Sequence, residues 1–233
     1  MVACADIWRT GVFFEHAPTS SRGAQMKPIR PELPKEFVAV HKRRRMIDAM
    51  AGLCAEQGYE STKIADIVRR AGVARKTLYD NFDGKEDLFL AAFDTTVRDS
   101  LQEVEEACAA SEGDWPERIE AGLAAFLRFV AENPAAARMC LVEAMSATPA
   151  ASARYDGAVS KFIELLARNT PEEADLPMTI EETLVGGVAW ILHQAIRRGE
   201  AEQAPDLLPE LAEFVLSPYQ HVATQGSGAA RRK

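Results

Sequence analysis

The sequence has few of the residues on which metal sites, disulfide-rich folds and catalytic centres depend. Its four cysteines, Cys4, Cys54, Cys108 and Cys140, lie far apart and form no CxxC pair. This spacing disfavours both disulfides and a zinc knuckle. The four histidines stand alone without HExxH spacing, and neither a glycine-rich phosphate loop nor a GxSxG motif is present. We therefore expect no metal, no cofactor and no catalytic residue.

Long apolar runs are also missing. No stretch approaches the roughly 18 uninterrupted apolar residues of a membrane-spanning helix, and the N-terminus lacks an apolar core of signal-peptide length. Of the 233 residues, 47% are hydrophobic and 27% are charged, which is typical of a globular protein. These features predict a cytoplasmic protein without a membrane partner, and the length allows one large domain or two small ones.

The net charge of −8 is distributed unevenly along the chain. Residues 35–85 hold 11 Lys and Arg against 7 Asp and Glu, whereas residues 86–218 hold 9 against 25. The basic segment can attract a polyanion by Coulomb steering and counterion release, and the acidic segment should point away from it. The run Lys42–Arg45, taken alone, is more typical of a solvated helix face.

Apolar residues recur at helical spacing from Phe37 onward, and no window alternates as a strand does. The pattern predicts an all-α fold of about nine helices. We expect a flexible, proline-containing N-terminal arm at 1–34 and a helix-turn-helix domain at 35–85. A helical C-terminal domain should follow at 86–218, and a disordered polar tail at 219–233.

The segment from Thr62 to Lys85 has the form of a helix-turn-helix. Two short amphipathic stretches are separated by Ala71-Gly72-Val73, where glycine can take left-handed backbone angles without steric cost. In such a unit the second helix enters the major groove of DNA and the first lies across the phosphates. The sequence therefore predicts a binding site for double-stranded DNA.

Side-chain chemistry agrees with that docking. Arg and Lys can donate to guanine, and a threonine methyl can contact the thymine methyl, which suits Arg75, Lys76 and Thr77 at the start of the second helix. Asp80, in the same helix, could accept from cytosine, but we expect it instead to form a local pair with Lys76, four residues earlier. The full set of expected DNA contacts is Arg43, Arg44, Thr62, Lys63, Arg75, Lys76, Thr77, Tyr79, Asn81 and Lys85.

Five short motifs occur in this region: Gly58-Tyr59-Glu60-Ser61-Thr62, Ile64-Ala65-Asp66-Ile67, Ala71-Gly72-Val73, Thr77-Leu78-Tyr79-Asp80-Asn81-Phe82 and Lys85-Glu86-Asp87-Leu88. From about Val40 to Phe93 the chain resembles the DNA-binding domain of TetR-type transcriptional regulators. The resemblance implies a homodimer with a three-helix reading head and a helical domain that dimerises and binds an effector. It also implies a repressor that a small molecule releases from a near-palindromic operator. By position, Thr62, Tyr79 and Lys85 resemble the family's phosphate contacts.

The resemblance further implies an effector pocket in the C-terminal domain. A mostly hydrophobic ligand is expected, because few buried charges are available there. The candidate lining residues are Trp115, Phe126, Phe129, Met139, Met145, Tyr155, Phe162, Trp190 and His193. Taken one by one, these residues are more typical of an ordinary hydrophobic core, because aromatic and methionine stripes usually pack there.

The last two long helices are the expected dimer interface. Gly186 and Gly187 lie in the middle of a predicted helix, where glycine costs roughly 1 kcal/mol relative to alanine. Two adjacent glycines allow another helix to pack closely against this one, either from the second subunit or from the same subunit. The expected interface is Leu184, Gly186, Gly187, Val188, Ile191, Leu211, Phe214 and Val215, in a four-helix contact.

Two other classes of function remain open. An all-helical enzyme has little support, because paired acids such as Glu105-Glu106 look like solvated helix surface. A helical scaffold without a DNA role would explain the acidic C-terminal part. It would not explain the cluster of Arg75, Lys76 and Thr77 after a helix–glycine–helix turn.

Overall fold

The computed structural model describes residues 35–171 and 176–229, with side chains for 38–171 and 176–219. All regular structure in these ranges is helical, which confirms the all-α prediction. None of the helices described is long and apolar enough to cross a membrane. The arm predicted at 1–34 lies outside the described residues.

The helices follow one another through short connections. They are α1 Lys35–Ser61, α2 Ile64–Ala71, α3 Arg75–Tyr79, α4 Lys85–Ala110, α5 Trp115–Glu132, α6 Pro134–Arg138, α7 Ala144–Ala147, α8 Pro149–Asn169, α9 Met178–Arg198 and α10 Leu208–Ala229. A π-helical turn, Met139–Glu143, joins α6 to α7, and a 3-10 segment, Ala201–Leu207, leads into α10. If each of these connected stretches counts as one helix, the described chain has the nine helices expected.

Helices α1, α2 and α3 form the predicted helix-turn-helix head. Gly58 (φ 79°) kinks the end of α1, and Gly72 (φ 60°) ends α2 in the left-handed conformation. Ile67 and Leu78 are fully buried between the helices. Lys63 precedes α2, and no side chain caps this end of the helix. The Thr62 side chain, two residues before α2, therefore does not cap it.

Helix α4 connects the head to the C-terminal domain. Its 26 residues correspond to a length of about 39 Å. Near its start, Leu88, Phe89 and Phe93 are buried in a core shared with α1. Further along, Val104 and Cys108 are buried in a separate apolar cluster with Leu165 of α8. A single rigid element therefore contributes to both regions.

The C-terminal domain packs α5, α8, α9 and α10 around the far part of α4. Helix α5 begins at an Asp114 carboxylate that accepts from the Glu117 N–H, and α8 begins at a Thr148 hydroxyl that accepts from the Ala151 N–H. Both are standard N-terminal caps. These caps fix where the two helices enter the domain.

The expected boundary at residue 218 needs correction. Helix α10 continues to Ala229, so the predicted disordered tail does not begin at 219. Tyr219 is only 2% exposed, its ring packs against Trp115 at 5.6 Å, and its hydroxyl donates to the Glu181 carboxylate. This burial stabilises the helix beyond Pro218 and ties it to α5 and α9.

Replacing glycine by alanine should change the unfolding free energy in opposite directions at Gly72 and Gly157. Gly72→Ala places a Cβ on a left-handed residue and against the Arg45 guanidinium, so we expect a loss of about 1–2 kcal/mol in unfolding free energy. Gly157→Ala serves as the control, because Gly157 is an exposed position within α8 with open space around it. This change should stabilise by about 0.5–1 kcal/mol. Urea unfolding midpoints measure both effects, and equal midpoints for the two variants would contradict the assigned backbone conformations.

Candidate DNA interface and ligand cavity

Helix α3 is held in the head by one face and exposed on the other. Leu78 is fully buried, and Phe82, just beyond the helix, is 3% exposed. On the opposite face Arg75 and Lys76 are exposed, and Tyr79 is 46% exposed. The apolar anchors therefore fix a short helix whose free face is cationic and aromatic.

Side chains along α3 differ in how they are held. The Arg75 guanidinium donates to the Tyr79 hydroxyl over 3.4 Å, and the Asn81 amide donates to the Thr77 carbonyl over 2.8 Å. Within the described residues, Lys76 forms no ion pair, so the expected pair with Asp80 is not observed and that expectation is corrected. Lys76 is thus a free cation on the exposed face.

Lys85 lies at the N-terminus of α4 and is already engaged. Its ammonium donates to the Tyr59 carbonyl over 3.1 Å and lies 3.9 Å from the centroid of the Tyr59 ring. An ammonium has three donors, so a phosphate contact remains available beside the Tyr59 contact. This arrangement fixes the lysine in place at the junction of α1 and α4.

The other expected DNA contacts are distributed around the head. Lys63 is exposed, and the Arg43 guanidinium lies 4.5 Å from the Phe82 ring. Arg44 pairs with Asp48 at 3.0 Å and lies 3.7 Å from Asp99, so part of its charge is compensated within the chain.

The expected Thr62 side-chain contact with phosphate needs correction. Thr62 is only 1% exposed, and its hydroxyl donates to the Gly58 carbonyl over 2.8 Å. Its hydroxyl therefore stabilises the kinked end of α1 and is turned away from solvent.

An apolar cavity of about 160 Å³ lies between α4, α5, α8 and α9. Four of the nine predicted lining residues do line it, namely Phe126, Phe129, Tyr155 and Phe162. The Thr96 and Ser100 hydroxyls in the wall donate to carbonyls of their own helix, and burial raises the pKa of the Cys140 thiol to about 12. The wall therefore offers little polarity to a ligand.

Five predicted lining residues lie elsewhere. Met139 is fully buried in the core shared with α1, and Trp115 packs against Tyr219. Met145 and Trp190 are 43% and 59% exposed, and His193 stacks on the Trp190 ring. Helical spacing alone did not distinguish core, surface and cavity wall for these side chains.

The predicted dimer residues fall into two groups. Leu184, Val188 and Val215 line the cavity and are buried within the chain, and Leu211 is also buried, so the expectation is corrected for these four. The reason is that both helices turn their regular apolar face inward.

The second group lies on the outer face. Ile191 and Phe214 are 40% and 41% exposed, Trp190 is also exposed, and Gly186 has open space around it. A Cβ at Gly187 would lie 2.9 Å from the Phe214 ring, so this glycine allows α10 to approach α9 within the subunit. The exposed side chains Trp190, Ile191 and Phe214 therefore give α9 and α10 an apolar outer face.

The π-helical turn Met139–Glu143 contacts three parts of the structure. Its Cys140 and Leu141 line the cavity. The Leu141 carbonyl lies 2.8 Å from His193 Nδ1 on α9, and the Glu143 carboxylate accepts from the Tyr59 N–H over 3.1 Å. Turns of this type often occur at functional sites. No glycine or proline marks its position in the sequence, so the sequence pattern did not reveal it.

Residues 46–92 match the family model described as bacterial regulatory proteins, tetR family. A stretch of 65 residues, 28% of this chain, is 34% identical to the fatty acid metabolism regulator protein of Bacillus subtilis (strain 168). That match spans only 34% of the curated relative's length. The sequence likeness is therefore concentrated in the head.

Solved structures resemble about three quarters of the chain. The fatty acid degradation regulator FadR from Bacillus halodurans has a TM-score of 0.69 and 17% identity, covering 75% of this chain and 94% of that one. FadR from Bacillus subtilis, in complex with stearoyl-CoA, has a TM-score of 0.67 and 17% identity, with 75% and 98% covered. A TetR family regulator from Marinobacter aquaeolei VT8 has a TM-score of 0.59 and 20% identity, with 76% and 97% covered. Residues 46–92 therefore match the tetR family of bacterial regulatory proteins, and the chain shares its fold with solved structures that include a TetR family regulator.

Proposed function

We propose that the chain is a cytoplasmic, homodimeric transcriptional repressor that binds operator DNA and releases it when a long-chain fatty acyl ligand, acyl-CoA in particular, fills the cavity. The supporting observation is α3, anchored by Leu78 and Phe82 with its cationic face exposed. A scaffold protein would have no need of such a face. No catalytic activity is proposed.

The outer face of α9 and α10 supports the homodimer. Trp190, Ile191 and Phe214 are large apolar side chains exposed on neighbouring helices. Contiguous exposed apolar surface commonly marks an interface, and a twofold axis would place the same residues of both subunits together. Two heads spaced about 34–36 Å apart would then meet successive major grooves of a near-palindromic operator.

The cavity supports the acyl ligand. Its wall is almost entirely aliphatic and aromatic, and the hydroxyls within it are bonded to their own helices. The structurally similar FadR of Bacillus subtilis was solved with stearoyl-CoA. A long hydrocarbon chain is the ligand portion that such a wall favours, because every methylene removed from water contributes about 0.8 kcal/mol.

The π-helical turn gives a physical route from cavity to head. Cys140 and Leu141 face the cavity, and Glu143, in the same turn, accepts from the Tyr59 N–H. Tyr59 in turn holds Lys85 at the base of the recognition unit. A ligand that favours a different position of this turn would shift the population of head orientations and lower DNA affinity.

Lys76→Ala tests the DNA interface. Because Lys76 is exposed and unpaired among the described residues, it should form one phosphate or base contact, and the change should weaken DNA binding. If it contacts a phosphate, the slope of log K against log salt should fall in magnitude by about 1. The measurement is a salt titration on a duplex that the wild-type protein selects from a random pool.

Lys161→Ala is the matched control for Lys76→Ala. Lys161 is an equally exposed lysine on α8, away from the head, so its removal changes the net charge without changing the interface. If both variants bind the duplex alike, or if the wild type selects no sequence, the proposed DNA interface is wrong.

Ala158→Phe tests the cavity. Ala158 is buried on α8 and lines the cavity wall, so a phenylalanine ring there should occupy space that the acyl chain needs. Stearoyl-CoA should release the selected duplex from the wild-type protein but require at least about tenfold higher concentration with the variant. Fluorescence anisotropy of labelled duplex follows the release.

Two controls accompany the cavity test. DNA affinity without ligand and the thermal unfolding midpoint show whether Ala158→Phe retains the fold, since overpacking a core costs about 1–3 kcal/mol. CoA alone should not release the duplex. If the wild type and the variant release the duplex at the same stearoyl-CoA concentration, the ligand acts at a site other than the cavity.

A further inference from the structure

A polar cleft adjoins the apolar cavity at the end of the domain remote from the head. It lies where α4 ends, α5 begins and α8 ends, and its walls are Glu105, Cys108, Ala109, Ser111, Arg118, Leu165, Arg168 and Asn169. Cys108, Leu165 and Asn169 also line the cavity. The cleft and the cavity therefore share these three residues as a common wall, in which Asn169 is the polar side chain.

The charge in this cleft is unusual for its surroundings. Residues 86–218 carry 9 basic against 25 acidic side chains, yet two arginines converge here with a single carboxylate, Glu105. The half-buried Arg118 donates to the Gly113 carbonyl, which fixes it beside the cavity. Burial raises the pKa of the Cys108 thiol, while the Arg118 charge opposes that rise, so this cation faces the shared wall.

The second arginine can exchange its partner. Arg168 is 63% exposed and pairs with the 51% exposed Glu105 at 3.0 Å. Such exposed pairs contribute little to stability, so an incoming anion can replace the carboxylate at small cost. Arginine also presents a planar fork that matches carboxylate and phosphate oxygens.

We propose that this cleft is the head-group site, in which Arg118 and Arg168 bind the anionic end of a ligand whose hydrocarbon chain fills the cavity. The inference rests on the proposed function and adds the direction in which the ligand lies. The hydrocarbon end of the ligand points toward the middle of the bundle, and its charged end lies at the C-terminal end of α4. Phosphates of acyl-CoA and the carboxylate of a free fatty acid share this anionic chemistry.

Arg118→Gln and Arg168→Gln, singly and together, test the site. Stearoyl-CoA binding, measured by titration calorimetry, should weaken about tenfold for each change, because each removes one charge-assisted hydrogen-bonding group. The salt dependence of ligand binding should also decrease in the double variant. Affinity for the selected duplex in the absence of ligand should stay unchanged, because the cleft lies at the opposite end of α4 from the head.

Arg128→Gln is the matched control. Arg128 is an exposed arginine on α5, the same helix as Arg118, but it lines neither the cavity nor the cleft. Its removal should leave stearoyl-CoA affinity unchanged. The exposed Arg168 variant also guards against misfolding, because no packing is lost at that position.

Comparing stearate with stearoyl-CoA identifies the source of the anion. It also distinguishes a failure of the head-group site from a failure of the proposed function. If stearate binds as tightly as stearoyl-CoA and loses affinity equally in the variants, the site binds a carboxylate. If only stearoyl-CoA binds tightly and loses affinity in the variants, the site binds phosphate. If stearoyl-CoA binds and releases DNA but both arginine changes have no effect, the head-group site is wrong and the proposed function stands. If neither ligand binds the wild type, both fail together.

Discussion

The hydrogen bond from the Tyr59 backbone N–H to the Glu143 carboxylate is the contact on which the proposed switch depends. Tyr59 is 6% exposed, its carbonyl accepts from Lys85, and its ring packs against Phe89 at 4.9 Å. A hydrogen bond to a charged group contributes about 1.5–3 kcal/mol, comparable with typical coupling energies between distant sites. One residue therefore joins the helix kink at Gly58, the start of α4 and the π-helical turn beside the cavity.

The two ends of α4 lie beside different charged sites. At its N-terminus, Lys85 lies in a basic head, whose charge would attract the DNA of the proposed function, whereas the acidic C-terminal domain would be repelled by the same phosphates. At its C-terminus, the arginine cleft provides positive charge within that acidic domain. The apolar cavity between them costs stability when empty, because its wall lacks packing partners. Under the proposed function, an acyl chain that filled the cavity would supply those partners, and this binding energy could shift the conformation.

Sequence patterns predicted the helices and the head well, because both depend on local periodicity and on glycines such as Gly72. They placed Lys76 on an exposed face for the same reason. The cavity and dimer residues could be predicted only in part. The spacing of Leu184 and Val188 shows that one face of α9 is buried, but it does not show whether the neighbour is a cavity, a core or a second subunit. The Thr62 hydroxyl is held by the Gly58 carbonyl at a kink that helical periodicity does not show, and the π-helical turn contacts Tyr59 and His193, which are distant in sequence.

The most direct test of the switch is amide hydrogen exchange at Tyr59, followed by NMR or mass spectrometry with and without saturating stearoyl-CoA. The account predicts that ligand binding loosens the bond to Glu143, so that exchange of this amide becomes several-fold faster while exchange in the buried middle of α4 stays slow. Unchanged exchange at Tyr59 in a protein that has bound the ligand and released its DNA would contradict it.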